Sequence, residues 1–548
     1  MVNNKFSRKR QPTLRQVARD RLGYEELHPG QELALQALLE GRNALVVMPT
    51  GSGKSAIYQI AAYLIPGSTV VVSPLLALQR DQAEAIESQD VGEVAVVNSQ
   101  ISKSERETAF AELEAGDLEF IFLAPEQFSN PETLAHLQAA KPSLFVIDEA
   151  HCISSWGHDF RPDYLQLQPV IAALDHPQVL ALTATAAPPV REEILERLNI
   201  PDAAVIVQGF DRPNIWLEVQ RFEDSTQKQQ ALLERVAPAK KPGIIYAATR
   251  KHTEEIAEAL QAQGIQAQYY HAGLKKAERE AIETAFMTDE VAVLVATTAF
   301  GMGVDKPNVR FVFHADISDS VDSYYQEIGR AGRDSELAQA VLFYNPEDLN
   351  LRRFLAKTGQ LETEQVEQVA ISLKAQPEPV KPKELKEQLD LSQAKIKSAL
   401  NRLTEVGAVE TQPTGEVAAS QSLEDTETAA AAAIEAQERW QQFEQSRLEM
   451  MRGYAEVRDC RREYLLNYFG ETLDQPCGFC DNCKAGQVVE ESEQIPFALN
   501  SRVTHKSWGE GLVMRYEGDK IVVLFDQVGY KTLAIDLAVR QRILQAVS

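Results

Sequence analysis

The chain has 548 residues, with 80 acidic against 55 basic side chains for a formal net charge of −25, and 44% of its residues are apolar and 25% charged. At about 150 residues per domain this length predicts three or four domains, which excludes a single small binding module, and the composition excludes wholesale disorder. The acidic balance argues against nonspecific coating of nucleic acid, which draws on Lys and Arg, so any such contact must come from local basic surfaces.

The first ten residues, MVNNKFSRKR, are basic and polar and lack the apolar core of a secretory signal, so a cytoplasmic protein is expected. The longest nearly apolar run, 69–78, is interrupted by Ser73 and Pro74 and falls short of the roughly 20 residues of a membrane helix. From Leu22 to about Val207, short apolar runs alternate with longer helical patterns: 44–47, 69–72, 94–97, 120–123, 144–147 and 179–182. This rhythm predicts a parallel sheet covered by helices. It restarts after Asp211-Arg212-Pro213-Asn214, with strands near 243–246, 267–270, 291–296 and 311–313, so two α/β domains in tandem are expected.

Beyond Pro346 the strand pattern stops. Residues 383–389, a break at Leu391-Ser392 and residues 393–406 read as helix, turn, helix; 409–417, with Pro413 and Gly415, would be a β-wing, the alternative being a plain helical linker. Residues 421–455, Ala-rich at 429–433, predict one long helix, and 488–493 an acidic linker. After Pro496, runs at 501–504, 511–516, 521–525 and 530–533, spaced by Gly and Asp, predict a small β-barrel.

The 44–47 strand runs into MPTGSGKS, where a strand ends, a Gly-rich turn follows and a helix starts. Gly51 and Gly53 let backbone N–H groups approach phosphates, Lys54 supplies positive charge to the β/γ oxygens and Ser55 can ligate Mg²⁺. The strict GxxxxGK[ST] spacing fails at Met48. Downstream, the 144–147 strand ends in Asp148-Glu149-Ala150-His151; Asp148 is suited to hold Mg²⁺ and Glu149 to orient or deprotonate an attacking water. Alone this would be an ordinary acidic turn; paired with the cradle it points to phosphoryl transfer.

Of five cysteines, Cys152 stands alone as a small core residue, while Cys460, Cys477, Cys480 and Cys483 crowd together in a chain too Cys-poor for a disulfide framework. Four thiolates suit a tetrahedral structural Zn²⁺ with no open position, an iron–sulfur cluster being the alternative.

Taken together, residues 22–484 resemble the RecQ family of DNA helicases, within superfamily 2. The resemblance rests on GYEELHPGQ (23–31), SPLLALQRDQ (73–82), LTATA (182–186), HCISSWGHDFRPDY (151–164), ATTAFGMGVDKP (296–307) and SYYQEIGRAGRD (323–334). It implies that Tyr24 stacks on adenine and Gln31 reads its edge, with His28 where the family usually has Arg, and that Thr50, Gly51, Ser52, Gly53, Lys54 and Ser55 form the rest of the ATP site. It implies further that Arg333 is an arginine finger supported by Arg330, that Trp156, His158, Phe160 and Arg161 couple DNA to hydrolysis, and that the four cysteines hold zinc. The implied protein is an ATP-dependent DNA helicase moving 3′ to 5′ on single-stranded DNA in recombination and repair, with ATP, Mg²⁺ and Zn²⁺ as cofactors and a nucleoid-associated location. The competing readings are an RNA helicase and an ATP-switched adaptor that displaces no strand.

On this basis the expected division is a basic tail (1–20), RecA-like domains at 21–208 and 209–348, a winged-helix-like segment (349–420), a long helix with the RecQ-type zinc module (421–487) and an acidic linker with a barrel (488–548). The winged-helix-like stretch precedes the zinc module, whereas in many family members it follows. Residues 503–533 resemble the SH3-type, Tudor-like barrel that ends UvrD and PcrA helicases, which implies a separable partner-binding unit, for RNA polymerase or another protein, with DNA as a competing ligand.

Overall fold

The computed structural model describes residues 14–89, 91–98, 100–154, 160–301, 306–357, 360–411, 416–420, 423, 425–486, 496–499 and 501–547. Contacts divide the chain into two units, one carrying a first sheet and the other everything from Phe210 onward.

The first sheet is built from β1 (Ala44–Val47), β2 (Thr69–Val72), β3 (Val94–Val97), β4 (Phe120–Leu123), β5 (Leu144–Ile147), β6 (Gln178–Thr183) and β7 (Ala204–Val207), in the order β3-β4-β2-β5-β6-β1-β7. Every pairing is parallel. The sequences ALVV, TVVV, FIFL and LFVI are buried on both faces, as continuous apolar strands between two layers of helices must be. The order places the C-terminal ends of β2, β5, β6 and β1 side by side, the usual place for a ligand in such a sheet.

In the second unit, β8 (Ile215–Arg221), β9 (Gly243–Tyr246), β10 (Ala267–Tyr270), β11 (Val293–Ala296), β12 (Phe311–His314) and β13 (Ala338–Tyr344) form another all-parallel sheet in the order β10-β11-β9-β12-β13-β8. Gly243 is required here, because a side-chain carbon on it would collide with the Phe311 ring of the neighbouring strand. The sequence patterns had picked out neither β8 nor β13. Both sheets are of the RecA-like parallel kind expected.

Helices Thr363–Lys374, Pro382–Gln388 and Gln393–Glu405, the hairpin β14 (Val409–Thr411)–β15 (Val417–Ala419) and the start of a long helix share one core around Leu373, Leu385, Ile396, Leu403 and Val417. Ser392 caps the third of these helices by accepting from the Lys395 N–H. The long helix runs Thr426–Glu456, with Asp425 accepting from Glu427 and Thr428 N–H groups at its N-cap. It therefore starts later than the composition suggested, at the first side chain able to satisfy free helical donors. The expected wing tip at Pro413 and Gly415, and the acidic stretch 488–493, lie outside the described residues.

The C-terminal segment is an antiparallel sheet of β16 (Arg502–His505), β17 (Gly509–Glu517), β18 (Lys520–Phe525), β19 (Gly529–Ala534) and β20 (Leu544–Ala546), in the order β19-β18-β17-β16-β20. Its core is Val503, Val513, Ile521, Val523 and Phe525. The expectation of a freely separable unit is corrected by its packing. Buried Tyr530 stacks on Tyr468 at 5.8 Å, the Arg515 guanidinium lies 3.6 Å from the Tyr464 ring centroid, and Gly529 abuts Ser446 of the long helix too closely for any side chain. Trp508 is half-buried and stacks on His505 with centroids 4.0 Å apart.

Candidate nucleotide site and metal centre

The turn after β1 enters the Lys54–Leu64 helix through Gly53, whose φ of 74° lies in the left-handed region that a side chain disfavours. Ser52 Oγ donates to the Pro49 carbonyl at 2.6 Å. Lys54 Nζ folds over the turn and donates to the Met48 and Pro49 carbonyls at 2.9 and 3.1 Å, so the ammonium sits within the loop that a triphosphate would occupy.

Gln31 ties the upstream segment to this turn. It is 1% exposed; its Oε1 accepts from the His28 N–H at 2.9 Å and its Nε2 donates to the Gly53 carbonyl at 2.8 Å. The amide thus braces the phosphate turn. Tyr24 is exposed, with its hydroxyl near Gly53, and His28 is exposed just ahead of the Pro29–Leu39 helix.

The carboxylates stand where β5 ends. Burial, then repulsion from Glu149, pushes the Asp148 carboxyl up to about 7, against the Lys54 ammonium and the Gln82 amide, which favour its charged form. Glu149 sits at φ 49°, an uncommon conformation for a non-glycine residue, held by its N–H donating to Asp148 Oδ1 at 3.0 Å. Its Oε2 is 3.3 Å from His151 Nδ1, which is also 2.8 Å from the Thr183 hydroxyl at the end of β6. Tyr164 donates to the Asp148 carbonyl at 3.0 Å. The ends of β5 and β6 are therefore linked through buried side chains directly behind the Glu149 carboxylate.

Of the residues singled out for DNA coupling, Trp156 and His158 lie outside the described residues. Phe160 is half-buried beneath the Arg197 guanidinium, 5.9 Å from its ring centroid. Arg161 donates to the Pro74 carbonyl at 3.2 Å, which ties this loop to the segment after β2.

In the second unit, Arg330 is 7% exposed, and among the described residues its Nε and Nη1 have no hydrogen-bond partner; Nη2 lies against Gly301. A buried guanidinium in this state calls for an anion. Arg333 Nε donates to the Gly329 carbonyl at 3.5 Å. Nearby, burial pushes the Tyr246 hydroxyl up to about 12, with Arg330 and Arg333 opposing.

Sulfur atoms of Cys460, Cys477, Cys480 and Cys483 all lie within 4.8 Å of one another. Backbone N–H groups of Cys477, Phe479 and Cys483 point at Cys460, Cys477 and Cys480 sulfurs at 3.4, 3.4 and 3.5 Å. Hydrogen bonds from Cys460 and Cys477 hold the Cys480 thiol below its usual range, while the other three thiols of the cluster are pushed up. Four thiolate donors with supporting N–H groups fit tetrahedral Zn²⁺, and the metal would close the knuckle as a structural site. The module is fastened to the edge of the second sheet: Cys480 bridges to Leu217, the Val219 N–H donates to Asp481 at 3.0 Å, and Arg462 bonds Asp211 and the Ile215 carbonyl at 2.7 Å each.

Sequence reasoning passed over Gln82, Thr183 and Tyr164 as individual site residues. They fall inside SPLLALQRDQ, LTATA and HCISSWGHDFRPDY respectively, and their side-chain contacts emerge only once distant strands align.

The chain matches the DEAD/DEAH box helicase family over residues 28–194, the helicase conserved C-terminal domain over 227–335 and the RecQ zinc-binding family over 418–484. It is 37% identical over 476 residues to the ATP-dependent DNA helicase RecQ of Pasteurella multocida, covering 86% of this chain and 62% of that one. The RecQ of Bacillus subtilis strain 168 is 33% identical over 480 residues, covering 86% of this chain and 68% of the relative. The chain thus spans just under two thirds of the Pasteurella relative's length. Among solved structures, that of the DUF1998 helicase MrfA bound to DNA is similar in fold, with a TM-score of 0.51 at 17% identity, over 76% of this chain and 59% of that one. ATP, Mg²⁺ and Zn²⁺ are the cofactors that go with these domains. With both helicase sheets, the zinc-binding segment and this extent of identity in one chain, the protein belongs to the RecQ family of helicases.

Proposed function

We propose that the protein is an ATP-dependent DNA helicase that moves 3′ to 5′ along single-stranded DNA and separates duplex or branched DNA in recombination and repair. The observation that carries this reading is the convergence of the Lys54 turn with Asp148 and Glu149 at the C-terminal ends of β1 and β5, within a RecQ-family chain. The relatives named above are DNA helicases by name, which favours DNA over RNA, and strand separation over a passive ATP-switched adaptor.

In this reading Lys54 leaves its loop carbonyls to neutralise the β/γ-phosphates, while N–H groups of Thr50, Gly51, Ser52 and Gly53 cradle them. Tyr24 supplies the adenine's stacking face, and Gln31 and His28 bound the base. Ser55 and Asp148 would hold Mg²⁺, which would supply charge neutralisation at the phosphate oxygens. Glu149 takes the proton of the attacking water, its carboxylate oriented by His151, as water displaces ADP from the γ-phosphorus. Arg333 is the finger that meets the transferring phosphoryl group, with Arg330 beside it. Trp156, His158, Phe160 and Arg161 couple bound DNA to this chemistry through the loop that follows Glu149, by stacking worth about 1–3 kcal/mol per base.

The domain division 21–208, 209–348, 349–420, 421–487 and 488–548 after a basic tail is proposed with it. The hairpin-bearing helical core serves as a winged-helix element, and the C-terminal sheet as an SH3/Tudor-like fold for a protein partner such as RNA polymerase. A nucleoid-associated cytoplasmic location accords with this role; among the described residues no helix is long and apolar enough to cross a membrane.

The test is DNA-stimulated ATP hydrolysis by the full chain. Lys54→Ala, Glu149→Gln and Arg333→Ala are each expected to lower the stimulated turnover by about 10³-fold or more, because charge compensation, water activation and the finger act as a unit. Near-normal turnover in the Arg333 variant would remove the finger assignment, and in the Glu149 variant the reading as a whole.

A further inference from the structure

Gln82 lies on the Leu76–Ser88 helix that follows β2 and faces the nucleotide site without an assigned role. Its Nε2 donates to Ser55 Oγ at 3.3 Å, while its Oε1 is buried with no hydrogen-bond partner among the described residues. A buried carbonyl oxygen without a donor is costly and rare, so such an atom marks a place where a ligand brings the donor. The same amide meets both groups read above as the metal's protein ligands, Ser55 through the Nε2 donor and Asp148, whose charged form it favours, so the Oε1 belongs to a side chain already seated at that site.

The helix that carries Gln82 is anchored one turn earlier. Gln79 is fully buried, donates from Nε2 to the Ser73 carbonyl at 2.7 Å and accepts at Oε1 from Asn98 Nδ2 at 3.3 Å. Gln82 is therefore presented from a fixed scaffold. The residue type also fits. Asp148 and Glu149 already place two carboxylates here, so a third would add repulsion, and a lysine would take the place of the cation. A neutral amide offers one acceptor and one donor without altering the charge.

We propose that Gln82 is a positioning residue for the divalent cation: Oε1 accepts from a water of the cation's coordination shell while Nε2 fixes the Ser55 hydroxyl. This rests on the reading of Ser55 and Asp148 as the metal's ligands.

The test is a manganese(II) titration of the full chain with bound ADP, followed by electron paramagnetic resonance, alongside ADP affinity measured in EDTA. Q82M keeps the shape and removes the acceptor; it is expected to weaken Mn²⁺ binding about tenfold, the usual cost of losing an outer-shell partner, with metal-free ADP affinity unchanged. Q82E keeps an acceptor for the cation's water while losing the donor to Ser55, and is expected to hold Mn²⁺ more tightly than Q82M. Native Mn²⁺ affinity in Q82M, a loss confined to Q82E, or equal losses of Mn²⁺ and metal-free ADP binding would overturn the proposal. Absence of ADP binding by the native protein would instead defeat the nucleotide-site reading beneath it.

Discussion

Lys228, His252, Asp316 and Asp348 form a charge cluster beyond the end of β12. Lys228 Nζ is 3.3 Å from Asp316 and 2.8 Å from Asp348, and His252 Nδ1 is 2.7 Å from the other Asp316 oxygen. Burial alone would lower the His252 pKa, but the Asp316 carboxylate outweighs it, with Glu255 assisting and Lys228 opposing, so the value rises above 6.5. The stability this contributes is fully present below the unfolded value of about 6.5 and is lost as pH rises through the folded one. His252→Ala should therefore destabilise the second unit by about 1–3 kcal/mol at pH 6, with the difference from the native protein shrinking by pH 9 in thermal unfolding. A constant difference across that range would contradict the pairing. This cluster was invisible in the sequence, since its members come from four separate segments. Asp148 and Glu149 could be picked out because they directly follow an apolar strand run, and Lys54 because a Gly-rich turn joins it to one; the bracing of Gly53 by Gln31 could not, because it joins side chain to backbone across a gap in the chain.

At the scale of elements, the buried parallel strands were legible because a strand covered on both faces is a continuous apolar run. β8 was not: IWLEVQR alternates apolar and polar residues, as an edge strand half-covered by a neighbour does. Its neighbour is the zinc knuckle, through the Leu217 and Cys480 bridge. Metal binding and the order of this edge are accordingly one event, and the knuckle has little apolar core of its own. Cys480→Ser should release about one equivalent of zinc and raise backbone hydrogen exchange across 459–484 and along β8, leaving β9 to β12 protected. Iron in the purified protein, or full metal content in the variant, would contradict the assignment. The four cysteines were readable from spacing alone, whereas the fastening of the knuckle by Asp211 and Asp481 needed the fold.

Across the whole molecule, what the sequence suggested as a tethered C-terminal unit is instead packed on the long helix and the zinc module. The reason lies in residues that no short pattern reveals: Gly529 makes room for Ser446, and Tyr530 and Arg515 meet tyrosines of the Arg461–Tyr468 helix. The second unit thus presents the hairpin-bearing helical core, the knuckle and the C-terminal sheet on a shared helical scaffold. The measurement that bears most directly on this account is strand displacement by the full chain with ATP, comparing 3′-tailed DNA, 5′-tailed DNA and RNA duplexes, with Glu149→Gln as the control. The account predicts separation of the 3′-tailed DNA duplex, little of the other two, and none by the variant. ATP hydrolysis stimulated by DNA without displacement of any strand, or displacement confined to the RNA duplex, would contradict it.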